Sequence, residues 1–210
     1  MNIGILGSGD VAKALAAGFL QRGDDVMLGT REPEKLAEWK AAAGAKASVG
    51  STARTAEFGE IIVLATQGMA TLEVIEAAGE GAFADKIVID ATNPIREGDD
   101  GPRLAIGFDD SLGERIQNAI RRASVVKAFN TVGSPEMVNP KFAGGPPTMF
   151  IAGDDDAAKS DVADILRDFG WETADLGGMH NARYLEPMCF TWIAYGIKNG
   201  TWHHAFKMLK

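Results

Sequence analysis

The residues near the start of the chain best able to do chemistry are Gly7-Ser8-Gly9-Asp10-Val11-Ala12. They form GxGxxA, a variant of the glycine loop that holds the pyrophosphate of a dinucleotide. The chemistry belongs to the backbone. Gly7 permits a tight turn, Gly9 lets a phosphate approach the main chain, and Ala12 is small enough for a following helix to pack on the strand. The N-terminus of that helix supplies free N–H groups and a partial positive charge. Gly7, Ser8, Gly9, Asp10 and Val11 are therefore expected to bind a cofactor. A glycine turn without a ligand is the alternative. However, the motif directly follows the apolar run NIGIL and opens a helical pattern, which is the context it requires.

The end of the second apolar run separates two cofactors. NAD sites usually place an acidic residue about 20 residues past the glycines, on the ribose hydroxyl. That place reads Leu28-Gly29-Thr30-Arg31, with Lys35 one helical turn later. No carboxylate stands there to repel a 2′-phosphate. Arg31 can stack on adenine and clamp a phosphate with its fork of donors, and Lys35 adds a point charge. The reading is NADP(H), held by Thr30, Arg31 and Lys35. The bland alternative is a solvated charge run in which Arg31 and Lys35 merely pair with Glu32 and Glu34.

Positioning these residues takes alternating strands and helices. Short apolar strands are expected at Asn2–Leu6, Asp25–Leu28, Ala47–Val49, Ile61–Ala65, Ile87–Ala91, Ser124–Ala128, Thr148–Ala152 and Glu172–Asp175. Helices are expected at Asp10–Gln21, Pro33–Ala43, from Ser51, Met69–Ala78, Ser111–Arg122, Ala157–Phe169 and from Asn181 to the end. Glu97–Asp110 reads as a polar loop. The pattern is α/β: a doubly wound parallel Rossmann sheet in one domain over residues 1–210, with 180–210 as a C-terminal helical cap. Hydrophobic residues make up 46% and charged residues 24%, a globular mix rather than a disordered one. The net charge of −8, with no basic patch, argues against nucleic acid and anionic membranes as partners. No apolar run approaches a membrane span, and MNIGILGSGD lacks the basic flank of a secretion signal. The single cysteine, Cys189, forms no CxxC motif. A cytoplasmic protein is the default expectation.

Further motifs are Asp90-Ala91-Thr92-Asn93-Pro94, Lys127-Ala128-Phe129-Asn130-Thr131, Ile151-Ala152-Gly153-Asp154-Asp155 and Asn181-Ala182-Arg183-Tyr184-Leu185-Glu186-Pro187. With the opening stretch GILGSGDVAKALAAGFLQRGDDVMLGTREPEK, they make the chain resemble the NADPH-dependent coenzyme F-420 reductase (NADP:F-420 oxidoreductase) family across its length. It is also similar to the cytosolic reductase domain of the STEAP ferric reductases. The resemblance implies hydride transfer between NADPH and a small-molecule redox acceptor, a deazaflavin (coenzyme F-420) or a flavin such as FMN or FAD, stacked on the nicotinamide. It implies that Ser8, Thr30, Arg31 and Lys35 hold the 2′-phosphate, and that Asn130, Val132 and Ser134 lie beside the nicotinamide, with Asn93 at a neighbouring strand end a further candidate for that pocket. Ala65, Thr66 and Gln67 fall on the cofactor edge. The C-terminal helices from Asn181 would close the acceptor side and form a homodimer. Two positions depart from the family. Thr66-Gln67-Gly68-Met69 stands where members often have a proline–tryptophan pair, and Asn130 stands where they have a histidine.

No side chain is expected to act as a catalytic acid or base. His180, His203 and His204 suit neither zinc nor a triad, and the last two read as polar residues of the final helix. Ring-to-ring hydride transfer needs alignment more than an acid. Asn93-Pro94 reads equally as a pocket wall or a turn starter. Asn130-Thr131, at a strand's carboxyl end, favours the pocket. Lys127 reads as a structural ion pair, and Asp154, Asp155 and Asp156 read as helix caps rather than a metal site. Trp192, Tyr195, Trp202 and Phe206 read as core or dimer seam. Cys189 reads as a buried apolar residue. Two other activities fit the same pattern: reduction of a small C=N or C=O substrate, and a non-catalytic NADP(H)-binding sensor or subunit. Replacing Arg31 with alanine is expected to weaken NADPH binding far more than NADH binding, measured by titration of each. Equal losses would remove Arg31 from the phosphate clamp.

Overall fold

A computed structural model describes residues 1–209. In chain order the elements are β1 (Asn2–Leu6), α1 (Asp10–Arg22), β2 (Asp25–Gly29), α2 (Ala37–Ala43), β3 (Ala47–Gly50), α3 (Thr52–Phe58), β4 (Ile61–Leu64), α4 (Thr71–Ala78) and β5 (Ile87–Asp90). They continue with β6 (Ile95–Arg96), β7 (Arg103–Leu104), α5 (Leu112–Ala119), β8 (Ser124–Lys127), β9 (Thr148–Gly153), α6 (Asp156–Asp168), β10 (Glu172–Asp175) and α7 (Ala182–Asn199). Eight strands form one sheet in the order β10-β9-β8-β5-β4-β1-β2-β3. From β3 to β8 this is the doubly wound Rossmann order.

Strand alternation divides the core into two layers. Ile3, Ile5, Val63 and Ile89 face one side, where they pack with Leu15 and Phe19 of α1 and Val162 and Leu166 of α6. Leu6, Ile62, Leu64 and Val88 face the other, against Ile75 of α4 and Leu112 and Ile116 of α5. Phe19 meets Phe169 edge to face at 5.1 Å, so α1 and the end of α6 share one seam. Helix ends follow their sequence signals. Ser111 caps α5 by accepting from the Glu114 N–H at 3.1 Å, donates its hydroxyl to the Glu114 carboxylate at 2.7 Å, and gives its own N–H to Asp110 at 2.8 Å. Asp155 caps α6 by accepting from the N–H groups of Ala157 and Ala158.

The structure departs from the sequence reading in five places. The sheet is parallel from β3 to β8, but β9 runs antiparallel to β8, and β10 follows β9. The stretch between β8 and β9 holds no α-helix to carry the chain across as a parallel crossover, so the chain returns beside β8 in the opposite sense. Pro33–Leu36 is a 3-10 turn separate from α2; the buried Leu36 that ends it leaves helical geometry at φ −103°, ψ 9°. Gly68–Ala70 forms a similar turn ahead of α4. The polar loop Glu97–Asp110 contains β7, which pairs antiparallel with β6 just before the loop, and Ile106 beyond β7 is buried. Finally, α7 stops at Asn199, where Gly200 takes a left-handed conformation (φ 61°). His203 and His204 therefore lie in a non-helical tail rather than in the last helix. The tail runs back to the sheet, where the Thr148 N–H donates to the Phe206 carbonyl at 2.9 Å. Trp192 donates its indole N–H to the His204 carbonyl at 2.8 Å and stacks on that imidazole at 4.7 Å.

Candidate cofactor and acceptor site

The carboxyl ends of β1 and β4 meet where the strand order reverses, the place at which open α/β sheets bind ligands. Gly7 sits there at φ 144°, and a Cβ on it would collide with the Ala65 carbonyl. Its N–H donates to the Gly29 carbonyl at 3.0 Å, which ties the glycine loop to the end of β2. Gly9 is exposed, and nothing lies within contact distance of a Cβ built on it, so the space above it is open to a ligand. It directly precedes the thirteen-residue α1, and no side chain caps the first N–H groups of that helix. These are the features a pyrophosphate requires: a close backbone approach, uncapped donors and a helix dipole. Asp10, exposed in the first turn, and Val11 complete this rim.

Thr30 follows β2, and its N–H donates to the Gly50 carbonyl at 3.2 Å. Arg31 is exposed and has no ion pair among the described residues. Lys35 instead pairs with Glu32 at 2.8 Å. Both partners are more than half exposed, and such a pair contributes at most about 1 kcal/mol, so an incoming phosphate could draw Lys35 away at little cost.

A cleft of about 540 Å³ opens along the ends of β4 and β5. It runs from Val11 and Ala65-Thr66-Gln67 past Met69 to Asn93 and then to Arg96 and Glu97. Thr66 and Thr71 share a 2.8 Å hydroxyl hydrogen bond that holds the turn after β4. Gly68 in that turn is buried, and a Cβ there would collide with the Asn93 carbonyl. The close approach of the two walls therefore demands glycine at 68, whereas flanking Met69 is half exposed.

Asn93 and Asn130 are paired across the strand ends. The Asn93 amide donates to the Asn130 carbonyl at 2.8 Å, and the Asn130 amide donates to Asn93 Oδ1 at 3.0 Å and to the Leu185 carbonyl at 2.8 Å. Asn130 is buried, and its Oδ1 has no partner among the described residues. Its neighbour Phe129 holds φ 62°, a conformation costly for a bulky residue and often found at functional positions. Val132 is buried and Ser134 half-buried just beyond. Trp192 packs on Gly133 between them, with ring atoms 3.0 Å from where a Cβ would stand.

Behind the asparagines lies a charge cluster that the sequence reading did not assemble. Lys127 is fully buried and lies 2.8 Å from Asp90 and 2.9 Å from Glu186. Asp90 also accepts the Thr92 hydroxyl at 2.6 Å and the Thr92 N–H at 2.9 Å. Glu186 accepts the N–H groups of Leu112 and Gly113, each at 2.9 Å, and so caps α5 from α7. Lys127 as a structural ion pair was expected, but its partners Asp90 and Glu186 were not. The available signal was a charged residue inside each of three apolar patterns, IVID, SVVK and YLEPMCF. Burial works to lower the Lys127 pKa, but the two carboxylates outweigh it and hold the ammonium above its ordinary value. Burial also pushes the Cys189 thiol up to about 12, which leaves it an inert core residue at neutral pH.

The fold and this cleft define a Rossmann-type dinucleotide-binding protein whose site is built mainly from backbone. The profile of the family "NADP oxidoreductase coenzyme F420-dependent" matches residues 2–94. The crystal structure of an Arthrobacter sp. FB24 protein, provisionally assigned as an F420-dependent NADP-reductase, superposes with a TM-score of 0.94 at 34% identity over 100% of both chains. The F420-dependent NADP reductase of Methanocaldococcus jannaschii is 28% identical across 94% of this chain and 93% of its own. Metalloreductase STEAP3 of Rattus norvegicus is 28% identical across 89% of this chain, which spans only 36% of that longer relative. The chain belongs to the coenzyme F420-dependent NADP oxidoreductase family and is an NADP-dependent oxidoreductase of that family.

Replacing Glu186 with alanine leaves Lys127 a single carboxylate and frees two N–H groups of α5. A loss of about 3–5 kcal/mol is expected, read from urea unfolding midpoints. Because the Lys127 pKa is raised on folding, its contribution is fully present below the ordinary value of 10.5 and is lost as pH rises through the folded value. Wild-type stability followed from neutral pH upward is expected to show this loss only above about 10.5.

Proposed function

We propose that the protein transfers hydride between NADPH and a flavin or deazaflavin that stacks at the cleft mouth. The carrying observation is the wall from Ala65 to Asn93, which presents backbone, small side chains, amides and the Met69 thioether but no titratable group. Such a wall suits a reaction that aligns two rings and asks the protein for no proton. Bound NADPH would supply the hydride from its nicotinamide ring.

The protein's own residues bind, align and exclude water. The uncapped N–H groups of α1, with Gly7, Ser8, Gly9, Asp10 and Val11, take the pyrophosphate. Thr30, Arg31 and Lys35 hold the 2′-phosphate, and Arg31 is free to do so. Ala65, Thr66 and Gln67 support the middle of the cofactor. Asn93, Asn130, Val132 and Ser134 frame the nicotinamide, and the buried Asn130 holds Asn93 in place at the cleft wall. Helix α7 closes this end through the Leu185 carbonyl and Glu186.

The reading includes a single cofactor-binding unit over residues 1–210, with the C-terminal segment as its cap, working in the cytoplasm as a homodimer. Tyr184 and Tyr195 share one outward face of α7 and are 68% and 54% exposed, a face that a second copy could cover. No helix among the described residues is long and apolar enough to cross a membrane.

The test is anaerobic NADPH oxidation with coenzyme F-420, FMN, FAD and riboflavin offered separately. Saturable turnover with one or more of these rings is expected, and the deazaflavin alone would mark a family-type reductase. Tight NADPH binding with no turnover on any of the four would overturn hydride transfer to a flavin-type ring and favour a sensor or another substrate.

A further inference from the structure

Three arginines have neither a carboxylate nor a hydrogen-bond partner for the side chain among the described residues: Arg31, Arg54 and Arg96. The others are held by Asp24, Asp100, Asp110, Asp85, Asp164 and Glu114, or, for Arg121, by the Asn118 carbonyl. In a chain with 29 acidic against 21 basic residues, an unpaired guanidinium is the exception. Arg31 lies at the corner assigned to the 2′-phosphate. The stem of Arg54 rests over Gly50, whose carbonyl accepts the Thr30 N–H at that same corner. Arg96 lies apart from both, at the far end of the cleft beyond Asn93.

Its position is fixed by the backbone. The Ile95 N–H donates to the Asn93 carbonyl at 2.8 Å, and the Ala105 N–H to the Pro94 carbonyl at 2.7 Å, so the ribbon is anchored to the cleft wall at its base. Within the ribbon Arg96 stands directly opposite Arg103. Residues opposite each other in an antiparallel pair project from the same face, and like charges placed so are destabilising. Arg103 is offset by Asp100 at 3.2 Å. Nothing offsets Arg96. Glu97 lines the same cleft but forms no ion pair with it.

We propose that Arg96 is a specificity residue that binds an anionic group, a phosphate or a carboxylate, carried by the redox acceptor. The inference rests on the acceptor reading above, in which a ring lies in the cleft beyond Asn93. The arm of such an acceptor leaves the cleft past Arg96. A phosphate there gains a charge-assisted pair and relieves the repulsion between Arg96 and Arg103. The cofactor's own phosphates are provided for at the other end of the track, by α1 and Arg31.

FMN and riboflavin share a ring and differ in the terminal phosphate, so they serve as the probe pair. Binding of each to the NADP⁺-saturated protein is followed by flavin fluorescence quenching, with KM measured alongside. FMN is expected to bind about tenfold more tightly than riboflavin, as one charge-assisted contact allows. In Arg96→Ala that advantage is expected to fall to about twofold or less while NADPH affinity holds, and in Glu97→Gln FMN is expected to bind more tightly. Equal binding of the two flavins by the wild type, no binding of FMN at about 1 mM, or an Arg96→Ala protein that loses NADPH rather than FMN would overturn the proposal. The two readings fail separately. Arg96-dependent FMN binding without turnover removes the hydride-transfer reading and leaves the anion site. Turnover that ignores the phosphate does the reverse.

Discussion

A buried ammonium must keep its carboxylates, and that constraint organises the active end of this molecule. Lys127 comes from β8, Asp90 from β5 and Glu186 from α7, three elements that no local interaction would bring together. Removing a single member would strand charge in a dry interior, so the three elements hold one arrangement. The residues next in line inherit it. Asp90 fixes Thr92, one position before Asn93. Glu186 follows Leu185, whose carbonyl receives the Asn130 amide. Asn93 at the cleft and its buried partner Asn130 are thus set from behind by groups that never reach the cleft.

The other end of the track is built by exclusion rather than attraction. Gly7 cannot carry a side chain because Ala65 stands against it, and Gly68 cannot because the Asn93 carbonyl does. These contacts bring the ends of β1, β4 and β5 close enough to form one continuous shelf. Charged side chains are placed at its extremities, Arg31 and Lys35 at one and Arg96 and Glu97 at the other. Between them, the wall from Ala65 to Asn93 carries no charged side chain.

Much of this was legible in the sequence because it is local. The apolar runs gave the strands, GxGxxA following NIGIL marked the tight turn from β1 into the uncapped start of α1, and the missing acid at Thr30-Arg31 agrees with the NADP family. The capping roles of Ser111 and Asp155 follow from single residues and their neighbours. What escaped depends on distance along the chain. The reversal of β9 follows from a connection that lacks a helix, and the polar composition of Glu97–Asp110 hid β7 and its pairing with β6 just before it. The helical reading of His203 and His204 failed at Gly200, where a left-handed residue ends α7 and the tail turns back to the sheet. The Lys127 cluster joins positions 37 and 59 residues apart, and a lone charge in an apolar run signals burial without naming its partner.

The most direct test of the account is a crystal structure of the protein with NADP⁺ bound. The expected result places the pyrophosphate over Gly7–Val11, the 2′-phosphate on Thr30 and Arg31, and the nicotinamide against Asn93 and its partner Asn130. A nicotinamide bound away from the asparagine pair, or a 2′-phosphate that leaves Arg31 in solvent, would contradict it.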